Sequence, residues 1–383
     1  MAFTGTALYD IFANEVAEDV SDIVAMISPR VTPFLDAIGD SATPFTSSYY
    51  TWEEKALLPD TFTMSSAIAS TAAASGGIEV GANAGLIRVG DIFNTQGYVN
   101  QEQVFVSSIG ASAATIYVTR AYAGTTSSSL AAGATLNFIG SAVEEGTDPR
   151  SARRRGKSLK GNFIQKFRED INIGRRANNA GLKVASLPKP YDEEVADKTI
   201  DVLKQLERTC LMGRTNGNTI GVDDKEATMA GIYNSIATNV TSHATYSNSF
   251  LNNAFESAHN YTDVESNIDR YHLFGGVTAF RAVSNSRASR IEEVPTATAA
   301  GVKKVSMYMS DFGDVPITML RWLPKGTIIG IRKDFVKIAS FQGLSFGQRQ
   351  YDNGSSNKLG YVEGDYGLEF MQEQAHFTVN GIS

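Results

Sequence analysis

One cysteine, Cys210, stands in 383 residues. That excludes an internal disulfide and any multi-thiolate metal site, and it suits a chain made in a reducing compartment. The four histidines, His243, His259, His272 and His376, are scattered without metal-ligand spacing and read as packed or surface polar residues. No apolar run reaches the roughly 18 residues a membrane-spanning helix needs. Met1–Val20 contains no Lys or Arg, so it lacks the basic start of a secretory signal. The expectation is a soluble protein, made inside the cell. GxxxxGK[ST], GxGxxG and HExxH are all missing, and with them the phosphate-cradling and zincin chemistries. An overall basic excess is missing too. The formal net charge of -7 argues against nucleic-acid binding by bulk electrostatics.

What is present suits a strand-rich chain of two or three subdomains. Hydrophobic residues make up 42%, enough for sizeable cores, and 34 glycines favour strands and loops over a helical bundle. The charge is unevenly distributed. Residues 1–60 carry Asp10, Glu15, Glu18, Asp19, Asp22 and further acids against only Arg30 and Lys55. Residues 150–183 carry Arg150, Arg153, Arg154, Arg155, Lys157, Lys160 and further bases against Glu169 and Asp170. Two solvated faces are the plain reading of such blocks. Opposed blocks in one chain also allow an acidic arm on one copy to dock on a basic strip of another, giving orientation and fast encounter. DNA on the basic strip is a third reading, though it lacks the interleaved aromatics of a single-strand binder.

Along the chain, Leu8, Phe12, Val16, Val20, Ile23 and Ile27 recur at helical spacing until Pro29 and Pro33. This arm has little core of its own to bury against, so it is a candidate for clamping a neighbour. Tyr49–Glu54 and Asn162–Ile173 read as strands that could be the legs of one long hairpin. The stretch between them is too long for a structureless loop. Short β-like runs at 86–89, 104–106, 115–118 and 135–139 predict a small β-barrel or sandwich over 86–140, with Ser65–Gly85 as an irregular tether. Asp192–Met212 is the strongest helix, with acids in its first turn, an apolar stripe through Val202, Leu206 and Cys210, and Gly213 as its stop. Mixed α/β patterning follows. Helices are predicted at 250–259 and 277–291, and strands at 271–274, 305–309, 317–320, 327–331, 335–341, 367–371 and 376–379.

One catalytic motif is worth weighing. Gly343-Leu344-Ser345-Phe346-Gly347 matches G-x-S-x-G, and Asp352 or Asp365 and then His376 follow in the order of an α/β-hydrolase. That motif needs a strand, a sharp turn and a helix, yet Asn353-Gly354-Ser355-Ser356 downstream is a turn signal. The acid pairs Glu144-Glu145 and Glu292-Glu293 would point to opposite faces of an extended backbone, a poor acid–base geometry. No catalytic, cofactor-binding or metal-ligating residue is expected, and no cofactor.

Three stretches together resemble the HK97-fold major capsid proteins of tailed bacteriophages, and more specifically the SU10-type major head proteins. They are Thr6-Ala7-Leu8-Tyr9-Asp10 through Val20 with Ile27-Ser28-Pro29; Ile87-Arg88-Val89-Gly90-Asp91 with Val118 to Thr126; and Gly360 to Glu369. The resemblance implies an α+β, HK97-like capsid fold with a small all-β insertion in its E-loop. Its parts would be an N-terminal arm at 1–48, the E-loop at 49–175 with the insertion at about 86–140, and P-domain at 176–230 with a spine helix at 191–213. The A-domain would follow at 231–345, and P-domain C-terminal strands at 346–383. It implies hexamers and pentamers closing an icosahedral shell around double-stranded DNA, located in the virion after assembly in the host cytoplasm, with a portal and a possible decoration protein as partners and no membrane. Because the arm motif starts within ten residues of Met1, a separate scaffolding protein is expected. The inter-subunit contact is expected to involve Asp10, Glu15, Glu18 and Asp19 on the arm, and Arg150, Arg153, Arg154, Arg155 and Lys157 on the strip. The rivals are an encapsulin-like compartment shell, a serine hydrolase using Ser345, and a tail or baseplate protein.

Overall fold

A computed structural model describes residues 32–39, 43–55, 58–69, 77–81, 83–95, 102–111, 114–146, 153, 156–179, 190–217, 226–288, 307–349 and 357–382. The helical pattern of Ala7–Ile27 lies outside these residues. Two compact units make up the chain, one of Met1–Glu54 with Leu159–Ser383 and the other of Lys55–Ser158.

The chain's first described elements are α1 (Pro33–Ile38) and β1 (Tyr49–Lys55). The smaller unit then holds β2 (Thr61–Thr63), β3 (Gly77–Glu79), β4 (Asp91–Thr95), β5 (Gln103–Ile109), β6 (Thr115–Thr119) and β7 (Thr135–Ser141). They form one sheet in the order β2-β7-β4-β5-β6-β3, every pairing antiparallel. Its two outer strands then meet. The Ser65 amide donates to the Glu79 carbonyl at 2.8 Å, the Gly81 amide to Thr63 at 3.0 Å, and Met64 bridges Val80. The sheet is therefore a small closed barrel, a shape that leaves no open edge to aggregate. Alternation fills it. In β6 Ile116 and Val118 point inward while Tyr117 and Thr119 face out.

The barrel draws on residues 61–141 rather than 86–140. Phe62, Met64, Ile78 and Val80, all buried, sit as lone apolar positions two apart in a Ser-, Ala- and Gly-rich tract, so the expected tether is partly barrel wall. Conversely, the expected strand at 86–89 is a 3-10 turn over Ala84–Leu86. Only Ile87 of that run is fully buried, and Val89 is exposed. A buried ion pair locks the barrel loops. The Glu102 carboxylate takes Arg120 Nε at 2.8 Å and the amides of Ala121 and Ser128 at 3.0 and 3.1 Å, while Arg120 Nη1 donates to the Ala69 carbonyl at 2.7 Å. Burial opposes ionisation of Glu102, but Arg120 and those two amides outweigh it and hold the carboxyl below its ordinary range.

In the larger unit, β1 pairs with β8 (Lys157–Phe163) as a two-stranded ribbon. The expected second leg, 162–173, lies mostly in the strand that follows, Gln165–Gly174, which pairs with Asn357–Phe370 and not with β1. Next come β9 (Gln165–Gly174), α2 (Arg175–Asn179), α3 (Pro190–Met212), α4 (Ile232–Ser235), β10 (Val240–Ser242), α5 (Asn248–His259), β11 (Tyr271–Gly275) and α6 (Val277–Ala288). The rest are β12 (Met307–Ser310), β13 (Gly313–Met319), β14 (Ile328–Arg332), β15 (Val336–Arg349), β16 (Asn357–Phe370) and β17 (Phe377–Asn380). Two sheets result, β15-β16-β9 and the six-stranded β10-β17-β14-β11-β13-β12.

Helix α3 spans 23 residues, about 34 Å at 1.5 Å per residue. Pro190 fits its first turn, where an amide would go unbonded anyway, and Asp192 and Glu193 complement its dipole. Val202, Leu206 and Cys210, four residues apart, are buried against the β9/β16 sheet in the first core. A second core holds Leu251, Phe255 and Ala258 of α5 and Val283 of α6 against Leu273, Ile317 and Phe377 of the six-stranded sheet. Strands β15 and β16 extend well beyond the apolar segments that announced them. Their added residues are Gly-rich and half-exposed, so periodicity alone carried little signal there.

Candidate assembly surfaces

The β1/β8 ribbon is fastened at its base and exposed beyond it. Asn162 makes the main fastening. Its Nδ2 donates to the carbonyls of Leu368 (2.8 Å) and Ala230 (3.2 Å), and its Oδ1 accepts the Ala230 amide at 2.8 Å. Tyr49 and Phe163 pack ring to ring at 4.7 Å. Gly161 is required beneath Tyr49, because a Cβ there would lie 2.6 Å from the ring. On β1, Glu54 Oε1 accepts Trp52 Nε1 and the Gln372 amide, both at 2.9 Å. Further out, Lys157, Ser158, Leu159 and Lys160 are all exposed, Leu159 at 69%. An isolated two-stranded ribbon is marginal in water, and an apolar side chain on it lacks cover from its own subunit.

The acidic arm residues Asp10, Glu15, Glu18 and Asp19 lie outside the described residues, as do Arg150, Arg154 and Arg155. Of the basic strip, Arg153 is engaged within the smaller unit. Its guanidinium pairs with the buried Asp91 and lies 4.8 Å from the centre of the Phe138 ring. Lys157 opens β8 and is exposed. On the three-stranded sheet, Lys166 pairs with Glu363 at 3.0 Å, and Arg168 reaches Asp170 at 2.8 Å while lying over Tyr361. Glu169 takes Lys198 at 3.2 Å. Cross-strand register produces this lacing, since Arg168 lies opposite Glu363 and Lys166 opposite Asp365. Three bases of the strip, Arg153, Lys166 and Arg168, thus meet acids of their own subunit, which lowers the positive charge it offers to a phosphate backbone.

The serine motif is not an elbow. Ser345 lies inside β15, opposite Glu363, and its hydroxyl makes only a long bond of 3.4 Å to the Glu363 carbonyl. His376 is wholly buried. Its Nδ1 accepts the Arg332 amide at 3.1 Å and its Nε2 lies 3.2 Å from the Met371 carbonyl, which fixes a neutral ring with both nitrogens occupied. Burial pushes its pKa down to about 4. His272, also buried, bonds Thr318 at 2.8 Å and is likewise pushed down to about 4 by burial and then Lys333. Among the described residues no group of three or more His, Cys, Asp or Glu could hold a metal ion, and no helix is long and apolar enough to cross a membrane.

The family model of the SU10 major capsid protein matches residues 3–383. The chain belongs to the SU10 major capsid protein family. It is a structural subunit of a phage head, and its place is the virion capsid. The capsid of a native GTA particle shares the fold, with a TM-score of 0.53 at 8% identity over 99% of this chain and 100% of that one. Mycobacterium phage Bobi aligns at 10% identity over 96% of each chain, TM-score 0.49. The SrpI encapsulin of Synechococcus elongatus aligns at 13% over 60% of this chain and 78% of its own, TM-score 0.41. No curated protein sequence matches the chain. Like the capsid folds it resembles, this family member is mixed α+β and rich in strands.

Two polar anchors gave no motif. Asn162 reads as an ordinary strand residue. Glu207 is fully buried on α3, and the only hint is its position four residues from both Leu203 and Leu211.

Proposed function

We propose that the subunit assembles as hexamers and pentamers into an icosahedral shell enclosing double-stranded DNA, built in the host cytoplasm on a separate scaffolding protein and completed by a portal. The observation that carries this reading is the β1/β8 ribbon, anchored at Asn162 and bare beyond it with Leu159 exposed. A neighbouring copy that covers the ribbon supplies the burial its own subunit withholds. In this reading residues 1–48 are the arm, 49–175 the E-loop, α3 the spine of the P-domain, and 231–345 the A-domain. The shell is a scaffold without catalysis, consistent with Ser345 lying within β15, just past a register shift, and not on a strand-to-helix turn.

The arm acids Asp10, Glu15, Glu18 and Asp19 then meet the strip across subunits, through Arg150, Arg154, Arg155 and Lys157. Arg153, occupied by Asp91, contributes to the barrel instead. Negative-stain microscopy of the chain expressed with its scaffold tests the whole reading. Closed, genome-sized heads are expected. Small shells around a protein cargo would favour a compartment, and rings or tubes a tail component. Leu159→Asp is expected to abolish shells while leaving a folded subunit.

A further inference from the structure

The first turn of α1 lacks a cap of its own. Thr32 makes no side-chain bond to it, and Pro33 has no amide to give. The Asp36 amide is taken by the Thr32 carbonyl at 3.1 Å, which leaves the amides of Phe34 and Leu35 to open the helix. Into this end points Glu207 of α3. It is 0% exposed, and its carboxyl faces those two amides without a short hydrogen bond to either. The same contact seats Phe34, fully buried and edge-on to Phe274 at 5.3 Å. A carboxylate sealed from water and lacking a close partner is costly, whereas its neutral form fits an apolar setting far better.

We propose that Glu207 is a latch for α1: its carboxyl holds the segment on α3 when protonated and loosens it when ionised, so that one proton controls the docking of α1. The charged surroundings point the same way. Among the described residues Glu207 has no ion-pair partner. From α1, Asp36 adds negative charge that opposes ionisation. On α3, Lys204 bonds Asp201 at 3.3 Å, and Cys210 presents a buried thiol. Burial first, with Asp36 adding to it against the Phe34 and Leu35 amides, pushes the carboxyl up to about 7. Lifting α1 would expose Glu207 to water and return it towards an ordinary carboxylate. Linkage then makes rising pH favour the lifted state. The latch belongs to the folded subunit, so it stands whether or not the arm clamps a neighbour.

Hydrogen exchange of the full-length protein tests it, reading the peptide that contains the Asp36 and Gly39 amides at pH 5.5 to 8.5, each rate divided by the intrinsic rate at that pH. Protection is expected to fall roughly thirtyfold across this range while α5 stays unchanged. Glu207→Gln should remove the pH dependence, and Asp36→Asn should shrink it. A flat wild-type profile overturns the latch. So does a loss shared equally by α5, or one that persists in a folded Glu207→Gln protein. If Glu207→Gln does not fold, the wild-type profile against α5 together with Asp36→Asn decides the matter.

Discussion

Asn162 at the base of the ribbon donates to the carbonyl of Leu368, 206 residues away, at 2.8 Å, and also brackets both polar groups of Ala230. One amide therefore ties β8, β16 and the segment after α3 to a common point. Replacing it by Leu leaves the Ala230 amide and buried carbonyls unpaired. The expected cost is about 2–4 kcal/mol, from one to three unsatisfied buried groups. Urea unfolding of the isolated subunit checks this. Asn162→Asp should be milder at the Ala230 amide and worse at the two carbonyls.

The Asp91–Arg153 pair makes a separable prediction. Arg153→Ala strands a carboxylate that is 1% exposed, although the Arg88 amide still donates to it at 2.8 Å. Barrel stability should fall by about 2–3 kcal/mol. Protease cleavage confined to 55–158 is the expected readout. Arg154→Glu with Arg155→Glu should instead leave cleavage unchanged and reduce shell yield. Normal heads from that double variant would refute the arm–strip contact.

Much of the architecture could be read from spacing. Helix α3, the core strands at 271–275 and 328–332, and most of the barrel carry an apolar period that only one element satisfies. Lone apolar residues in a small-residue tract, such as Met64 and Ile78, acquire meaning only when the barrel closes around them. Polar anchors are harder still. Asn162 and Glu207 owe their roles to partners far along the chain, Leu368 in one case and α1 in the other, and no local pattern encodes a long-range partner. The basic strip was visible as a block of charge. That Arg153, Lys166 and Arg168 meet acids of their own subunit depends on sheet register and the barrel's closure, neither of which composition shows.

Cys210 offers a simple probe of α3. It is wholly buried, and burial first, then the neighbouring Glu207, pushes its thiol far above the ordinary range. A thiol reagent at pH 8 should leave the native protein unlabelled and label it stoichiometrically in denaturant. Rapid native labelling would mean that α3 opens far more often than its packing allows.

Acid should weaken the larger unit through His272 and His376. Both are held neutral with pKa values pushed down to about 4, against about 6.5 in the unfolded chain. Above pH 6.5 neither state binds the extra protons, and the stability is fully present. As pH falls from 6.5 to 4 the unfolded chain takes up protons that the native fold refuses, so stability drops. The loss is about 3 kcal/mol per histidine at the low end. Glu207 acts in the opposite sense, because its raised pKa makes the native state the better proton binder between 4.5 and 7. The two effects overlap and partly cancel in the wild type. Glu207→Gln should therefore steepen the fall of the urea midpoint between pH 6.5 and 4.5, and His376→Gln should flatten it. Identical slopes in wild type and both variants would show that neither buried group titrates as the geometry requires.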